Sequence, residues 1–264
     1  MEVHTPLPLV KSMTLNKMFS IQYRTMTWHL VAVLMIAEIV SNAEAPTSMG
    51  DAGMIMFGPI GREILAGGTV IFAVFATGGQ LLAGQIALAS LSDNKLCLML
   101  YTGIFTIPTF LCSLPRTLDR LSWLSVPSVI SILVAGIVGM VGAGLNPVAG
   151  REISVAKSSD FVIAFISITN PVFAYAGHFM FFILISEMKD PRGAMKAAYT
   201  LQGFATSFYV VFATVVYYYI GSDVASPAFS SLPTKWAKAA YGIAIPNFLI
   251  AGSLYAHTAA KLIF

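Results

Sequence analysis

SDFVIAFISITNPVFAYAGHFMFFILISEMKD, residues 159–190, is the stretch on which the fold turns. It is a long apolar run interrupted near its middle by Thr169, Asn170 and Pro171, with Gly177 and His178 within two further turns. Proline lacks a backbone N–H and its ring clashes with the preceding turn, so a helix here kinks or opens. In hydrocarbon an opened helix leaves polar backbone groups without partners. That is tolerated only where protein or a water-filled cavity supplies them. The run therefore has two readings: a broken membrane helix with a binding site at its break, or a kink satisfied by neighbouring helices.

The rest of the composition agrees with a membrane setting. The chain has 264 residues, of which 57% are hydrophobic and only 10% charged. An ordinary soluble domain is roughly 25% charged. The expected class is an all-α, polytopic transmembrane helix bundle. The net charge of +3 requires no nucleic-acid partner, because most basic residues fall in loops and tails. Cys97 and Cys112 share one apolar segment and read as inert core residues, neither a disulfide nor a metal pair.

Residues 1–27 are polar and basic and read as a cytoplasmic tail. Residues 28–264 read as one membrane domain. Its apolar segments lie at about 28–41, 64–91, 96–114, 121–145, 161–186, 194–220 and 239–264, giving about six to seven membrane helices. The first is short for a span, and residues 44–63 read as a polar connection bearing Gly and Pro. Ser41-Asn42-Ala43 is like a signal-peptide cleavage site, but the preceding tail is long and Glu38 lies inside the apolar stretch. Ala135, Gly139 and Ala143 recur every four residues and form a small-residue face on which another helix can approach closely. The last segment is interrupted at Pro246 and Asn247.

Lys and Arg counts test the topology. If every apolar run crosses, the two sides hold eight and six of the loop and tail cations. If the region before Arg62 returns to the inside, Lys11, Lys17, Arg24, Arg62, Arg116, Arg120, Lys189, Arg192 and Lys196 lie inside, nine in all. Lys95, Arg151, Lys157, Lys235 and Lys238, five in all, then lie outside. The second arrangement follows the positive-inside rule better and asks for one crossing fewer before Arg62.

No zinc spacing, phosphate-binding glycine loop or nucleophile elbow occurs, so neither an enzyme nor an ATP-driven pump is indicated, and no cofactor or metal is expected. What remains is intramembrane polarity. Glu38 is either a functional acid or an interfacial one. His178 can relay protons or simply hydrogen-bond within the bundle. Asn170 and Asn247 each adjoin a proline and can offer amide groups to a substrate or to freed backbone. Gln80 and Gln85 read as hydrogen-bonding between helices.

Several stretches resemble fungal members of the amino acid/auxin permease (AAAP) family. Tyr23-Arg24-Thr25-Met26-Thr27-Trp28 leading into Val33-Leu34-Met35-Ile36-Ala37-Glu38 is similar to the family's start. Asp51-Ala52-Gly53 and Phe57-Gly58-Pro59-Ile60-Gly61-Arg62-Glu63 resemble the loop before its third span. Leu114-Pro115-Arg116-Thr117-Leu118 and Leu121-Ser122-Trp123-Leu124-Ser125 resemble the junction of the fourth and fifth. Asn170-Pro171 to His178, then Glu187-Met188-Lys189-Asp190-Pro191, resemble the sixth span and its following loop.

The resemblance implies a LeuT-like (APC-type) transporter that takes up amino acids, usually coupled to protons. Its site lies between the broken first and sixth helices of two inverted repeats. Thr169, Asn170, Pro171 and Tyr175 would then line the substrate site, Asn247 would face it, and Glu38 and His178 would couple protons. The second span and the C-terminal spans of full-length members have no counterpart here, so the expected fold is partial. The expected partners are the lipid bilayer, a small amino acid or related metabolite, and protons. The plasma or vacuolar membrane is the expected place. The alternative is a non-transporting assembly or regulatory protein built on part of the permease scaffold.

Overall fold

The computed structural model describes residues 48–114, 118–151, 193–222 and 224–263, together with 13–14, 153, 156–157, 165 and 174. Five helices account for most of them: α1 (Met49–Leu91), α2 (Leu98–Ser113), α3 (Leu118–Leu145), α4 (Ala194–Ile220) and α5 (Thr234–Ile263). Four contain stretches long and apolar enough to cross a membrane, and α2 is a shorter apolar helix. The protein is an all-α, multi-pass membrane bundle. The apolar segments at 28–41 and 161–186 lie outside the described residues.

The chain divides into two compact units, Met1–Ala45 with Glu152–Ser207 and Pro46–Arg151 with Phe208–Phe264. In the first, Met13 and Thr14 pair antiparallel with Lys157 and Ala156. All packing below belongs to the second unit.

The stretch read as a connection before residue 64 is helical instead. Ser48 caps α1: the Asp51 backbone N–H donates to Ser48 Oγ at 3.2 Å, and that hydroxyl donates to Asp51 Oδ2 at 2.9 Å. This satisfies N-terminal groups that have no intrahelical partner. The 43 residues of α1 would reach about 65 Å if straight, far more than a bilayer needs. The helix breaks at Gly58, whose φ of 72° suits a residue without a Cβ. Pro59 follows, and proline disfavours the helical conformation in the residue before it while fitting the first turn of a new helix. The two pieces fold back on each other. Gly53 and Gly61 meet so closely that a Cβ on Gly61 would stand 2.6 Å from the Gly53 carbonyl oxygen.

The other prolines do not break their helices. Pro108, Pro127 and Pro246 each sit inside continuous helix, so the expected interruption of the last segment at Pro246 is corrected. Losing one backbone hydrogen bond costs less in hydrocarbon than opening several.

Neighbour contacts give the helix directions. Gly84 lies against Phe105, and Ser92 Oγ is bonded to the Tyr101 hydroxyl, so α1 and α2 are antiparallel. Gln80 lies against Gly252 and Leu91 against Gly242, which makes α1 and α5 antiparallel as well. The contacts Ser128–Asn247 and Gly142–Trp236 do the same for α3 and α5. By contrast α3 and α4 run parallel: Gly136 meets the Phe208 ring, Gly139 the Phe212 ring and Gly144 the Tyr219 ring. The small-residue face is real: Ala135, Gly139 and Ala143 are all buried. The core beside it joins Ala87, Ala143, Val216, Ile220, Leu232, Ala237 and Tyr241. Neither cysteine is in a disulfide, and Cys97 is exposed at the start of α2, not in the core.

At the α1–α2 turn Asp93 and Asn94 both adopt φ of 56°, a conformation these residues tolerate better than most. Lys238 Nζ donates to Asp93 Oδ2 at 2.7 Å, tying the turn to the first turns of α5. That bond and charge hold the Asp93 carboxyl below the usual carboxylate range. A carboxyl depressed by folding adds stability above its unfolded pKa, and the gain disappears as pH falls through the folded value. Melting measured from about pH 7 to pH 3 is therefore expected to show Asp93→Asn less stable than the parent at neutral pH and the two converging in acid. A gap that stays constant over that range would exclude the ion pair as its source.

Candidate functional site

Of the residues expected to form a site, Asn247 is the one whose surroundings are described. Thr169, Asn170, Pro171, Tyr175, Glu38 and His178 lie outside the described residues. Asn247 is half-buried on α5, next to Pro246, and its Oδ1 accepts from Ser128 Oγ on α3 at 3.0 Å. Ser128 is only 6% exposed. Asn247 therefore ties two helices together at the position where the sequence suggests a substrate contact.

A carbonyl-type acceptor for a buried hydroxyl stabilises more by its presence than its mean worth suggests, because removing it strands the donor. Asn247→Ala is expected to cost about 1–2 kcal/mol in folding stability, within the range for polar ties between membrane helices. Asn247→Gln keeps a neutral amide acceptor and should cost less. Thermal melts of the two variants in one detergent test the difference, and equal losses would contradict it.

Asn247 faces α3, and α5 carries further polar groups on the face turned to α2. Further along, Ser253 is 1% exposed, His257 8% and Thr258 1%. The Ser253 hydroxyl lies 2.7 Å from the Leu249 carbonyl oxygen on its own helix and 3.2 Å from the Thr109 carbonyl oxygen on α2. His257 Nδ1 lies 3.4 Å from the Ser113 carbonyl oxygen, also on α2. Both pairs step in the same direction along the two helices, so α2 and α5 are parallel. Gln85 belongs to a neighbouring polar contact, its Oε1 accepting from Thr102 Oγ1 at 2.9 Å, as its place in an apolar run suggests.

Among the described residues, two buried atoms of α5 have no partner: His257 Nε2 and Thr258 Oγ1. A buried polar atom left open is uncommon and calls for a reason. Sequence reasoning passed over His257, although its signal, an ionisable side chain in an apolar run, is the same as that of His178. The sequence lacks a means of ranking the two, since burial depends on which helix face meets a neighbour.

A cleft of about 420 Å³ at the α1 hairpin is lined by Phe57, Ile60, Gly61, Ile64 and Leu65. It offers no side-chain group to orient the charged ends of an amino acid, so it is a poor substrate site. The polar groups of α5 are buried between helices and are the better candidates.

Comparison with known proteins points the same way. A family model described as transmembrane amino acid transporter protein matches residues 18–263. The chain is similar to a transmembrane transporter of Gibberella moniliformis, 26% identical over 248 residues, covering 89% of this chain and 52% of that protein. It is similar to a transmembrane transporter of Fusarium pseudograminearum, 28% identical over 241 residues, covering 88% and 50%. It is also similar to the N amino acid transport system protein of Neurospora crassa, 30% identical over 214 residues, covering 77% and 46%. The chain spans about half the length of the curated relatives it matches. No solved structure matches it.

Proposed function

The chain belongs to the transmembrane amino acid transporter protein family, and from that membership we propose that it moves an amino acid or a related small metabolite across a fungal membrane. Transporters of this family are not enzymes, and this chain is an integral, multi-pass membrane protein. The movement is secondary and proton-coupled, at the plasma or vacuolar membrane. The carrying observation is the buried polarity of α5 inside an otherwise apolar bundle, with Asn247 against Ser128 on α3 and Ser253 and His257 against α2. Buried polarity between membrane helices is costly, and transport pathways are a common reason for it.

The helix directions support the wider reading. Parallel neighbours in a membrane require an odd number of crossings in the chain between them. With α3 and α4 parallel, the single apolar run at 161–186 is the natural crossing. Thr169, Asn170, Pro171, Tyr175 and His178 belong to that apolar run, and in this proposal they meet the substrate. A LeuT-like site between broken helices agrees with this topology.

Uptake of labelled amino acids into vesicles containing only this chain, at two external pH values, tests the proposal. Accumulation above empty vesicles is expected, larger when the outside is acidic. Asn170→Ala is expected to lower it about tenfold, the worth of one well-placed hydrogen bond to a substrate. No accumulation at either pH would favour the assembly or regulatory reading.

A further inference from the structure

We propose that Asn247 donates from its amide nitrogen to an uncharged acceptor oxygen on the side chain of the substrate, and that Ser128 is the positioning residue that turns the amide that way. The assignment rests on the transport reading above and adds to it the part of the substrate that is met between α3 and α5.

Asn247 lies deep in its helix. It stands nine residues after Lys238 and fourteen before Lys261, about 14 Å and about 21 Å of helix rise. A polar group at that depth needs a partner. On the same face of α5, Ala240 and Ala244 before it and Ile250 and Thr258 after it are all buried. Asn247 itself is half-buried, and so are Ala251 and Leu254 beyond it. The open side of the amide is therefore a local gap in a face that is otherwise packed.

The bond to Ser128 decides which atom faces that gap. Ser128 is buried on α3, and its hydroxyl donates to Asn247 Oδ1 at 3.0 Å. A buried hydroxyl requires such an acceptor. Among the described residues nothing accepts from Asn247 Nδ2, and unlike His257 Nε2 and Thr258 Oγ1 it is not sealed off. An amide N–H2 group only donates, so what it recognises is an acceptor.

The two helices also set the charge of that acceptor. Residues 124–145 of α3 and 240–254 of α5 contain no Asp, Glu, Lys, Arg or His. A charged group brought here would lose water and find no counter-charge on either helix. The carboxylate and ammonium of an amino acid are therefore held elsewhere, and its side chain reaches Asn247. A carbonyl, hydroxyl or sulfoxide oxygen on that side chain accepts from Nδ2, whereas an apolar side chain leaves Nδ2 unpaired. Without Ser128 the amide turns about its last torsion, which is broad and roughly two-fold. It then presents Oδ1 in part of the population and repels the same oxygen.

Methionine and methionine sulfoxide test this, because they differ by one uncharged oxygen. Their affinities are measured by calorimetry on the full chain in lipid nanodiscs. The preference for sulfoxide relative to methionine is expected to fall about tenfold in Asn247→Ala, the worth of one hydrogen bond. In Ser128→Ala it should fall about threefold, since the amide remains but is no longer held. Ser128→Thr keeps the hydroxyl and should keep the parent ratio. Ser128→Cys, a weaker donor, should fall between Thr and Ala, and it decides the positioning role if Ser128→Ala does not fold. A tie that served only packing would weaken both ligands together and leave the ratio unmoved. An unchanged ratio in Asn247→Ala overturns the contact. A lowered ratio there with parent ratios in Ser128→Ala and Ser128→Cys overturns the positioning by Ser128. A parent that binds neither ligand overturns the assignment, and the transport reading falls with it only if the vesicles also accumulate no labelled amino acid.

Discussion

Gly61→Ala is expected to destabilise the protein by about 3 kcal/mol, the upper part of the range for overpacking a close contact. Its new methyl would stand 2.6 Å from the Gly53 carbonyl oxygen and collide with Phe57 Cβ as well. The oxygen belongs to backbone on the other arm of the α1 hairpin, so no side chain can rotate away. The arms must separate, and the Gly58 turn must open. Gly78→Ala is the control. Nothing lies within 4 Å of a Cβ there among the described residues, and alanine favours helix over glycine by about 0.5–1 kcal/mol. The two substitutions should therefore move the melting temperature in opposite directions. A similar loss from both would mean that the hairpin arms do not touch.

Phe229→Ala should cost about 3 kcal/mol, as truncating a well-packed aromatic residue usually does. Phe229 sits in the 3-10 turn Ala228–Ser231 between α4 and α5. Its ring meets Phe212 edge-on at 6.1 Å and Tyr241 edge-on at 5.6 Å. It also fills the space above Gly139, where a Cβ would stand 2.8 Å from the ring. Tyr241, 2% exposed, is held by its hydroxyl 2.7 Å from Ser230 Oγ in the same turn. Removing the ring therefore opens a space shared by α3, α4 and α5.

The same geometry gives a coupled test. Gly139→Ala alone should destabilise, because it presses on Phe229. Combined with Phe229→Ala it should cost less than the two losses added together, since the methyl enters the space the ring leaves. Residues in contact depart from additivity by about 0.5–3 kcal/mol. Strict additivity in melts of the four proteins would show that Phe229 and Gly139 are not neighbours.

Legibility of the fold followed the chemistry of each segment. Residues 194–220 form a helix with the bounds that the apolar run suggests, because nothing in it competes with the helical period. The small-residue face of α3 was readable for the same reason. Residues 49–63 were not, since Gly58 and Pro59 look alike in a loop and in a tight helical turn. Their helical state rests on a local cap at Ser48 and a tertiary contact between Gly53 and Gly61. Pro246 misled in the opposite direction. Its helix persists because hydrocarbon penalises open backbone more than one missing hydrogen bond.

The candidate site divides in the same way. Asn247 was visible as a polar residue in an apolar run, but its bond to Ser128 spans 119 residues of chain, and no local pattern announces such a partner. His257 is as apparent in the sequence as Asn247, but its burial is a property of the helix face and not of the residue type.

Composition and apolar run length alone determined that this chain crosses a membrane repeatedly as helices, since no other arrangement satisfies the backbone of so many long apolar segments. Short motifs such as Asn170-Pro171 carried the resemblance to a transporter family. The tertiary structure decided which helices run parallel, where α1 folds back, and which polar atoms are left facing the interior. These depend on contacts between residues far apart in sequence, whose energies are comparable for many pairings until the whole bundle packs.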